Sequence, residues 1–240
     1  MKLTQAQYNL ELDLAENVAT ILVIENKGAM VEIVRDLIIQ SRGGEGQFIL
    51  SNNGKELKLN KNLDVVINPF EINLNEKRIL TAMYKRLEES ANEHIEDKEK
   101  LNGLMVNLLD EILETETAAF YDYDFELEWK DLFKLYNVRV ADDTESLLEL
   151  IVEYIKTVAC YLGIRLVVFV GLDMFFSSKD LNLIISQANY CKVHLLLISA
   201  RELVDNICEC NIYILDGDKC VIRKVHNLLP LQMDKFSDDL

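Results

Sequence analysis

The densest set of residues that could bind a metal is an alternating run of carboxylates at positions 122–128. Asp122, Asp124, Glu126 and Glu128 are separated by aromatic or apolar residues. In an extended segment this period of two places all four carboxylates on one face. Such charges repel one another unless water screens them or a hard cation draws them together, and Ca²⁺ takes about six to eight oxygen ligands. The residues alone leave two interpretations open, a solvated acidic face and a calcium site without EF-hand spacing.

A second set of charged residues lies between positions 27 and 61, where six bases face four acids and give a local charge of +2. Excess cations of this kind contact nucleic-acid phosphates, although an ordinary exposed lysine hairpin has the same composition. One such segment cannot hold a duplex, but symmetric copies around a ring could. The six bases are Lys27, Arg35, Arg42, Lys55, Lys58 and Lys61.

No motif for enzymatic chemistry is visible in the sequence. The three histidines are dispersed, and no G-x-S-x-G, H-E-x-x-H or Cys/His nucleophile arrangement occurs. The five cysteines lie in apolar stretches without paired zinc-type spacing, which favours free thiols in a reducing cytoplasm. No secretory signal or membrane span is expected, so the sequence predicts a soluble cytoplasmic protein.

The first strand-to-helix turn invites a nucleotide-binding interpretation that its residues do not support. A phosphate-binding loop of the form G-x-x-x-x-G-K-[ST] wraps phosphates with backbone N–H groups, whereas the turn here reads Glu25-Asn-Lys-Gly-Ala-Met30. The glycine-rich stretch Arg42–Gly46 follows a helix and precedes a strand, which is the wrong order for a phosphate cradle.

These residues must be positioned by strands at both ends of the chain and helices between them. Apolar runs and alternation predict strands at 8–14, 20–25, 47–51, 56–59 and 63–67, with a hairpin turn at Asn52-Asn-Gly54. Helical spacing predicts helices from Met30 to Ser41, around 79–87 with Asn75 as the cap, and at 101–113. The last two should form an antiparallel helical hairpin.

The second half of the chain completes this arrangement. A short helix at 126–134, a short strand at 137–141 and a long helix at 147–162 are followed by alternating strands and helices, which predict a parallel sheet. The sequence therefore predicts an α/β protein. Its discontinuous head spans residues 1–72 and 163–240 and contains a mostly parallel sheet, and its α-helical leg spans residues 73–162.

Composition bounds these interpretations. Half of the 240 residues are hydrophobic, which is enough to fill a core and excludes a disordered chain. The chain carries 25 Lys and Arg against 41 Asp and Glu, a net charge of −16. Taken as an average over the whole surface, this charge argues against binding nucleic acid.

Several short strings occur together in a recognisable order. They are Thr20-Ile-Leu-Val-Ile-Glu25, Phe70-Glu-Ile-Asn73, Leu166 to Val170, Leu197-Ile-Ser-Ala-Arg-Glu-Leu203 and Tyr213-Ile-Leu-Asp216. With the head-leg-head layout, the chain from about Leu10 to Val225 resembles the spacer-acquisition proteins of type II-A CRISPR loci.

This resemblance implies a non-enzymatic protein whose head is similar to a P-loop ATPase that has lost its nucleotide site. It implies a homotetrameric ring that binds double-stranded DNA at free ends, beside the adaptation integrase and the RNA-guided effector nuclease. It also implies Ca²⁺ ions at Asp122, Asp124 and Glu126, with Glu128 as a further candidate, and DNA contacts from Lys55, Lys58 and Lys61. Lys27 and Arg42 are added because they lie close by in the sequence. The alternatives are a cytoplasmic ATPase-like nucleotide-binding regulator and a purely structural acidic scaffold.

Overall fold

The computed structural model describes residues 1–115, 119–124, 126–141, 143–202, 207 and 209–226. The chain forms two compact units, one made of Met1–Ile72 with Thr144–Leu240 and the other of Asn73–Asp143. We refer to them as the α/β unit and the helical unit. None of the described helices combines the length and the apolar character needed to cross a membrane.

A six-stranded sheet forms the centre of the α/β unit, with the strand order β10-β9-β3-β8-β7-β6. All neighbouring pairs are parallel except β9 and β10, which are antiparallel. Every residue of β3 is buried, as expected for a strand covered on both faces. The predicted α/β class and mostly parallel sheet are therefore confirmed. The strands are β3 (Ala19–Ile24), β6 (Leu63–Val66), β7 (Leu166–Val170), β8 (His194–Ser199), β9 (Cys210–Leu215) and β10 (Val221–His226).

A second, four-stranded antiparallel sheet has the order β2-β1-β4-β5. Its tight turn at Asn53 and Gly54, with φ of 49° and 76°, is the hairpin that the sequence predicts. The sequence analysis did not predict β1. The structure pairs β2 with β1 in this sheet, whereas β3, the next strand along the chain, belongs to the large sheet. The strands are β1 (Lys2–Gln5), β2 (Leu10–Asp13), β4 (Phe48–Asn52) and β5 (Lys55–Leu57).

Among the described residues, four α-helices belong to the α/β unit: α1 (Lys27–Ser41), α2 (Leu59–Asn62), α6 (Leu147–Thr157) and α7 (Ser178–Tyr190). Residues 144–162 lie in this unit, whereas the sequence prediction placed them in the leg. The physical reason is the apolar stripe of α6, where Ile151 and Ile155 are fully buried. The Tyr154 hydroxyl also donates a 2.5 Å hydrogen bond to Asp64 on β6.

The helical unit contains α3 (Lys77–Ala91), α4 (Ile95–Glu114) and α5 (Trp129–Leu135). The predicted antiparallel hairpin is wrong, because residues 92–94 form one 3₁₀ turn that links α3 to α4 without reversing the chain. The charged residues there include no glycine or proline to break the helix. Instead, α3 packs against α5, and no residue of α4 is buried.

Two local predictions in this unit also fail. Asn75 does not cap α3, whose cap residue is Glu76, because the Asn75 side chain instead exchanges hydrogen bonds with the backbone of Val140 at 2.8 and 3.0 Å. The described segment 137–141 is not a strand, because the backbone of Val140 bonds the Asn75 side chain and the Val138 carbonyl accepts from the Tyr84 hydroxyl at 2.9 Å.

Candidate nucleic-acid interface and acidic segment

All five cations predicted to contact DNA belong to the α/β unit and are exposed. None of them forms an ion pair with any residue in the described part of the chain. Lys27 is the first residue of α1 and Arg42 is its C-cap, 15 positions further along the chain. At a rise of about 1.5 Å per residue, these two positions lie roughly 22 Å apart. The structure therefore does not bring Lys27 and Arg42 together.

Three of the five cations do meet at the C-terminal end of α1. The short helix α2 packs beside α1, and a Cβ atom placed on Gly43 would lie 3.2 Å from the Asn60 amide nitrogen. Lys58 is the N-cap of α2 and Lys61 lies within it. We call Arg42, Lys58 and Lys61 the basic cluster. Lys55 begins β5, just before this cluster in the sequence.

Two further cations lie along the adjoining edge of the large sheet, where β6, β7 and β8 begin. The backbone N–H of Arg165 donates to the Asn62 carbonyl at 3.0 Å, so Arg165 adjoins the end of α2. The His194 N–H in turn donates to the Arg165 carbonyl at 2.8 Å. Lys192 lies two residues before His194. The pairing of β6, β7 and β8 thus places Lys61, Arg165 and Lys192 in a row, which we call the basic edge.

Sequence reasoning missed Arg165 and Lys192 because each is far from Lys61 in the chain. Both are exposed and, like the basic cluster, form no ion pair within the described residues. Their position relative to the strands could have indicated them, since Arg165 immediately precedes one buried strand and Lys192 comes shortly before the next buried strand. Neighbouring parallel strands begin at the same edge of a sheet, so residues before them lie side by side.

The acidic segment lies in the helical unit. Its carboxylates at 122, 124, 126 and 128 are all exposed, whereas Tyr123 and Leu127 are half-buried. The Tyr123 hydroxyl donates a 2.5 Å hydrogen bond to Asp110 of α4, which raises the pKa of Tyr123. Glu128 forms an ion pair with Lys130, and the hydrogen bond within this pair raises the pKa of the Lys130 ammonium. The segment is therefore anchored through Tyr123, and its acids are exposed to solvent.

The arrangement of these acids does not by itself form a calcium site. Carboxylate oxygens are the correct ligands for Ca²⁺, but the ion needs about six to eight of them around one point. Among the described residues, no group of three or more Asp, Glu, His or Cys side chains converges in a way that could hold a metal. The donor chemistry fits calcium and the described geometry does not.

The turn from β3 to α1 does not provide a phosphate-binding loop. Only two residues separate Ile24 at the end of β3 from Lys27 at the start of α1. The Asn26 side chain caps the helix by accepting from the Ala29 N–H at 3.0 Å and donates to the Gly217 carbonyl at 3.1 Å. So short a connection, with its helix end already capped, cannot wrap a polyphosphate. The nucleotide-binding alternative is therefore not favoured.

Comparison with known proteins supports a family assignment. No curated protein matches the chain, whereas a protein-family model described as CRISPR-associated protein (Cas_Csn2) matches residues 40–219. This match covers three quarters of the chain and includes the basic cluster, the basic edge and the acidic segment. The chain therefore belongs to the CRISPR-associated protein (Cas_Csn2) family, the type II-A CRISPR adaptation proteins that its sequence resembles.

Proposed function

We propose that this protein is a non-enzymatic, cytoplasmic DNA-binding protein of CRISPR adaptation, which encircles the ends of double-stranded DNA as a homotetrameric ring during spacer acquisition. Its partners would be the adaptation integrase and the RNA-guided effector nuclease. The family supplies the CRISPR-associated role. The observation that supports DNA binding is the unpaired state of the basic cluster and the basic edge.

Unpaired cations support DNA binding because an acid beside a surface lysine largely cancels the attraction of that lysine for a phosphate. Arg42, Lys58, Lys61, Arg165 and Lys192 are exposed and have no acidic partner in the described chain. Adjacent strands lie about 4.8 Å apart, so cations at successive strand starts are spaced on the scale of neighbouring phosphates. Contacts of this kind bind the backbone and do not read the base sequence.

A ring is proposed because one copy offers too little positive charge to hold a duplex. The protein has a net charge of −16, so a single basic face cannot hold a duplex against the average repulsion. Several copies arranged around one axis would direct their basic faces toward the same duplex. Assembly is supported by α4, which presents a solvent-exposed stripe of Leu101, Leu104, Met105, Leu108 and Ile112. A helix without buried residues gains little stability alone, and a second copy would cover this stripe.

Gel shifts at increasing protein concentration test the ring directly. A closed ring around DNA needs a free end to thread, so we expect shifts with linear duplex and none with a covalently closed circle of the same sequence. Equal binding to both DNAs would contradict encirclement while leaving phosphate binding intact. Absence of binding to either DNA would contradict the proposed function as a whole.

Salt dependence tests the assigned residues. For a phosphate contact, the logarithm of the binding constant falls with the logarithm of the salt concentration, and each contact removed makes the slope shallower by about 1. We therefore expect a shallower slope for the double variant Lys58→Gln, Lys61→Gln. Lys179→Gln is the control, because Lys179 is also exposed and unpaired among the described residues but lies at the opposite end of α7 from Lys192. If the double variant and the control have the same slope, the basic cluster does not contact phosphates.

Calcium and the relation to P-loop ATPases are further parts of the proposal. Ca²⁺ would draw the acidic segment into a coordinating arrangement, since its exposed carboxylates repel one another without a cation. The relation to P-loop ATPases is supported by the mostly parallel large sheet, in which the first strand, β3, lies between the later strands β8 and β9. The short turn after β3 is consistent with a fold that has no nucleotide site.

A further inference from the structure

A cavity of about 460 Å³ opens at the basic edge of the α/β unit. This volume is within the range of small-molecule sites, which usually measure about 300–1,000 Å³. The cavity lies between the chain entering β3, the start of β7 and the C-terminal turn of α7. Its walls are Glu16, Asn17, Arg165, Asn189, Lys192, Val193 and His194.

The backbone that forms these walls is fixed by hydrogen bonds. Asn189 donates from its side chain to the Asn17 carbonyl at 3.1 Å, which joins the end of α7 to the chain before β3. Lys192 has a left-handed φ of 57° and donates to the Asn189 carbonyl, while Val193 donates to Ala188 at 2.9 Å. This is a Schellman turn, in which glycine is the usual left-handed residue. Lysine at this position places a cation at the cavity where glycine would place none.

The charged groups of the cavity favour an anion. Arg165 and Lys192 line the cavity and have no ion-pair partner in the described chain, and Glu16 is the only acid in the lining. Guanidinium groups bind the oxygens of phosphate in a bidentate manner, and a lysine adds a point charge. The lining therefore offers two permanent cations against one carboxylate.

His194 adds a group that can change its charge. Its Nδ1 lies 3.0 Å from the Ala15 carbonyl, and because a carbonyl only accepts, Nδ1 carries the proton and Nε2 is left for a ligand. Burial lowers the pKa of His194, and the hydrogen bond to Ala15 opposes this effect. The terminal ammonium of Met1 and Arg165 also lower this pKa, whereas Glu16 raises it. A bound anion would favour the protonated imidazolium, which donates from Nε2.

We propose that this cavity binds a phosphate monoester through Arg165, Lys192 and the protonated form of His194. Two sources share this chemistry, a small phosphorylated molecule and the 5′-phosphate of a DNA end that lies along the basic edge. The second source would extend the proposed function, since Arg165 belongs to both the cavity and the basic edge. The first source does not depend on DNA binding.

Calorimetric titration with AMP, a small phosphate monoester, tests the cavity itself. Saturable binding is expected, and Arg165→Gln and Lys192→Asn should each weaken it by about tenfold, the effect of losing one charge-assisted contact. Asparagine tolerates the left-handed backbone at position 192, so that variant should keep the fold. Lys179→Gln should bind AMP like the unchanged protein. The proposal is overturned if the protein neither binds AMP nor prefers DNA duplexes with 5′-phosphate ends. It is also overturned if the unchanged protein and the three variants bind AMP with equal affinity.

The pH dependence separates His194 from the two permanent cations. Binding to the unchanged protein should tighten more between pH 8 and pH 6.5 than binding to His194→Gln, since the imidazole gains a proton there and every other titrating group, including AMP itself, is common to both experiments. Identical pH profiles for the two proteins would exclude His194 from the site.

Duplexes with 5′-phosphate or 5′-hydroxyl ends, identical in sequence, distinguish the two sources. A preference for the phosphorylated ends that is lost in Arg165→Gln assigns the site to DNA ends. Equal binding of both duplexes, with saturable AMP binding retained, assigns it to a small molecule. AMP binding by a protein that binds neither duplex would contradict the proposed function and support the cavity.

Discussion

At the scale of single residues, some exposed cations of the α/β unit form ion pairs with acids and others do not. On the side of the sheets that carries β2 and β10, Arg223 lies 2.8 Å from Asp13, and Lys2 lies 3.0 Å from Glu11. Such exposed pairs add little stability, but they cancel the local field. Arg42, Lys61 and Arg165 have no comparable acid in the described chain. The basic cluster and the basic edge therefore keep charge that is available to a phosphate.

A buried carboxylate provides a residue-scale test of the fold. Asp64 on β6 is 6% exposed and accepts the 2.5 Å hydrogen bond from the Tyr154 hydroxyl, which links β6 to α6. Tyr154→Phe removes this donor, so we expect the free energy of unfolding to fall by about 1–3 kcal/mol, the cost of a lost buried hydrogen bond. Urea denaturation measures the change. Tyr190→Phe, at an exposed tyrosine, should change stability far less, and equal effects would show that the Tyr154 bond does not stabilise the unit.

At the scale of elements, periodicity predicted most helices and strands but not what each one packs against. The stripe of α6 and the stripe of α4 have similar spacing, yet Ile151 is buried and Leu104 is 68% exposed. Spacing identifies an apolar face and carries no information about its partner. For this reason the prediction from periodicity paired α3 with α4 in a hairpin and placed α6 in the helical leg.

The same limit applies to the candidate interface. Lys55, Lys58 and Lys61 were candidates because they lie in one basic stretch that matches the lysine-rich hairpin of the family that the sequence resembles. Arg165 and Lys192 reach Lys61 only through the pairing of β6, β7 and β8, which connects residues more than 100 positions apart. A local charge count cannot include such residues, so the sequence identified the cluster and missed the edge.

The exposed stripe of α4 gives a prediction about assembly. Replacing Leu104 and Leu108 by serine removes apolar area that a second copy would bury, at about 1.5–3 kcal/mol for each leucine. We expect the subunit dissociation constant to rise by at least tenfold, as measured by sedimentation velocity. Asn107→Ser, on the same helix but outside the stripe, should leave assembly unchanged. A double variant that sediments as the unchanged protein does would show that α4 is not the interface.

At the scale of the whole molecule, the acidic charge is unevenly divided. The helical unit, residues 73–143, contains 18 acids and 9 bases, so it carries −9 of the net charge of −16. The α/β unit carries the remaining −7 on more than twice as many residues. Net charge is therefore too coarse to exclude DNA binding, because the basic cluster and the basic edge belong to the α/β unit, whereas most of the excess acid belongs to the helical unit.

The excess acid of the helical unit leads to the prediction about calcium. An ion that binds the folded protein raises its unfolding temperature by mass action. If calcium gathers the acidic segment, millimolar CaCl₂ should raise the midpoint of thermal unfolding, EDTA should reverse the change, and Asp122→Asn with Asp124→Asn should abolish most of it. Glu96→Gln with Glu99→Gln removes the same charge from α4 of the same unit, so it controls for relief of general repulsion. Equal calcium responses in the two double variants would mean that calcium only screens the unit, whereas a loss confined to positions 122 and 124 would show that those carboxylates coordinate the ion.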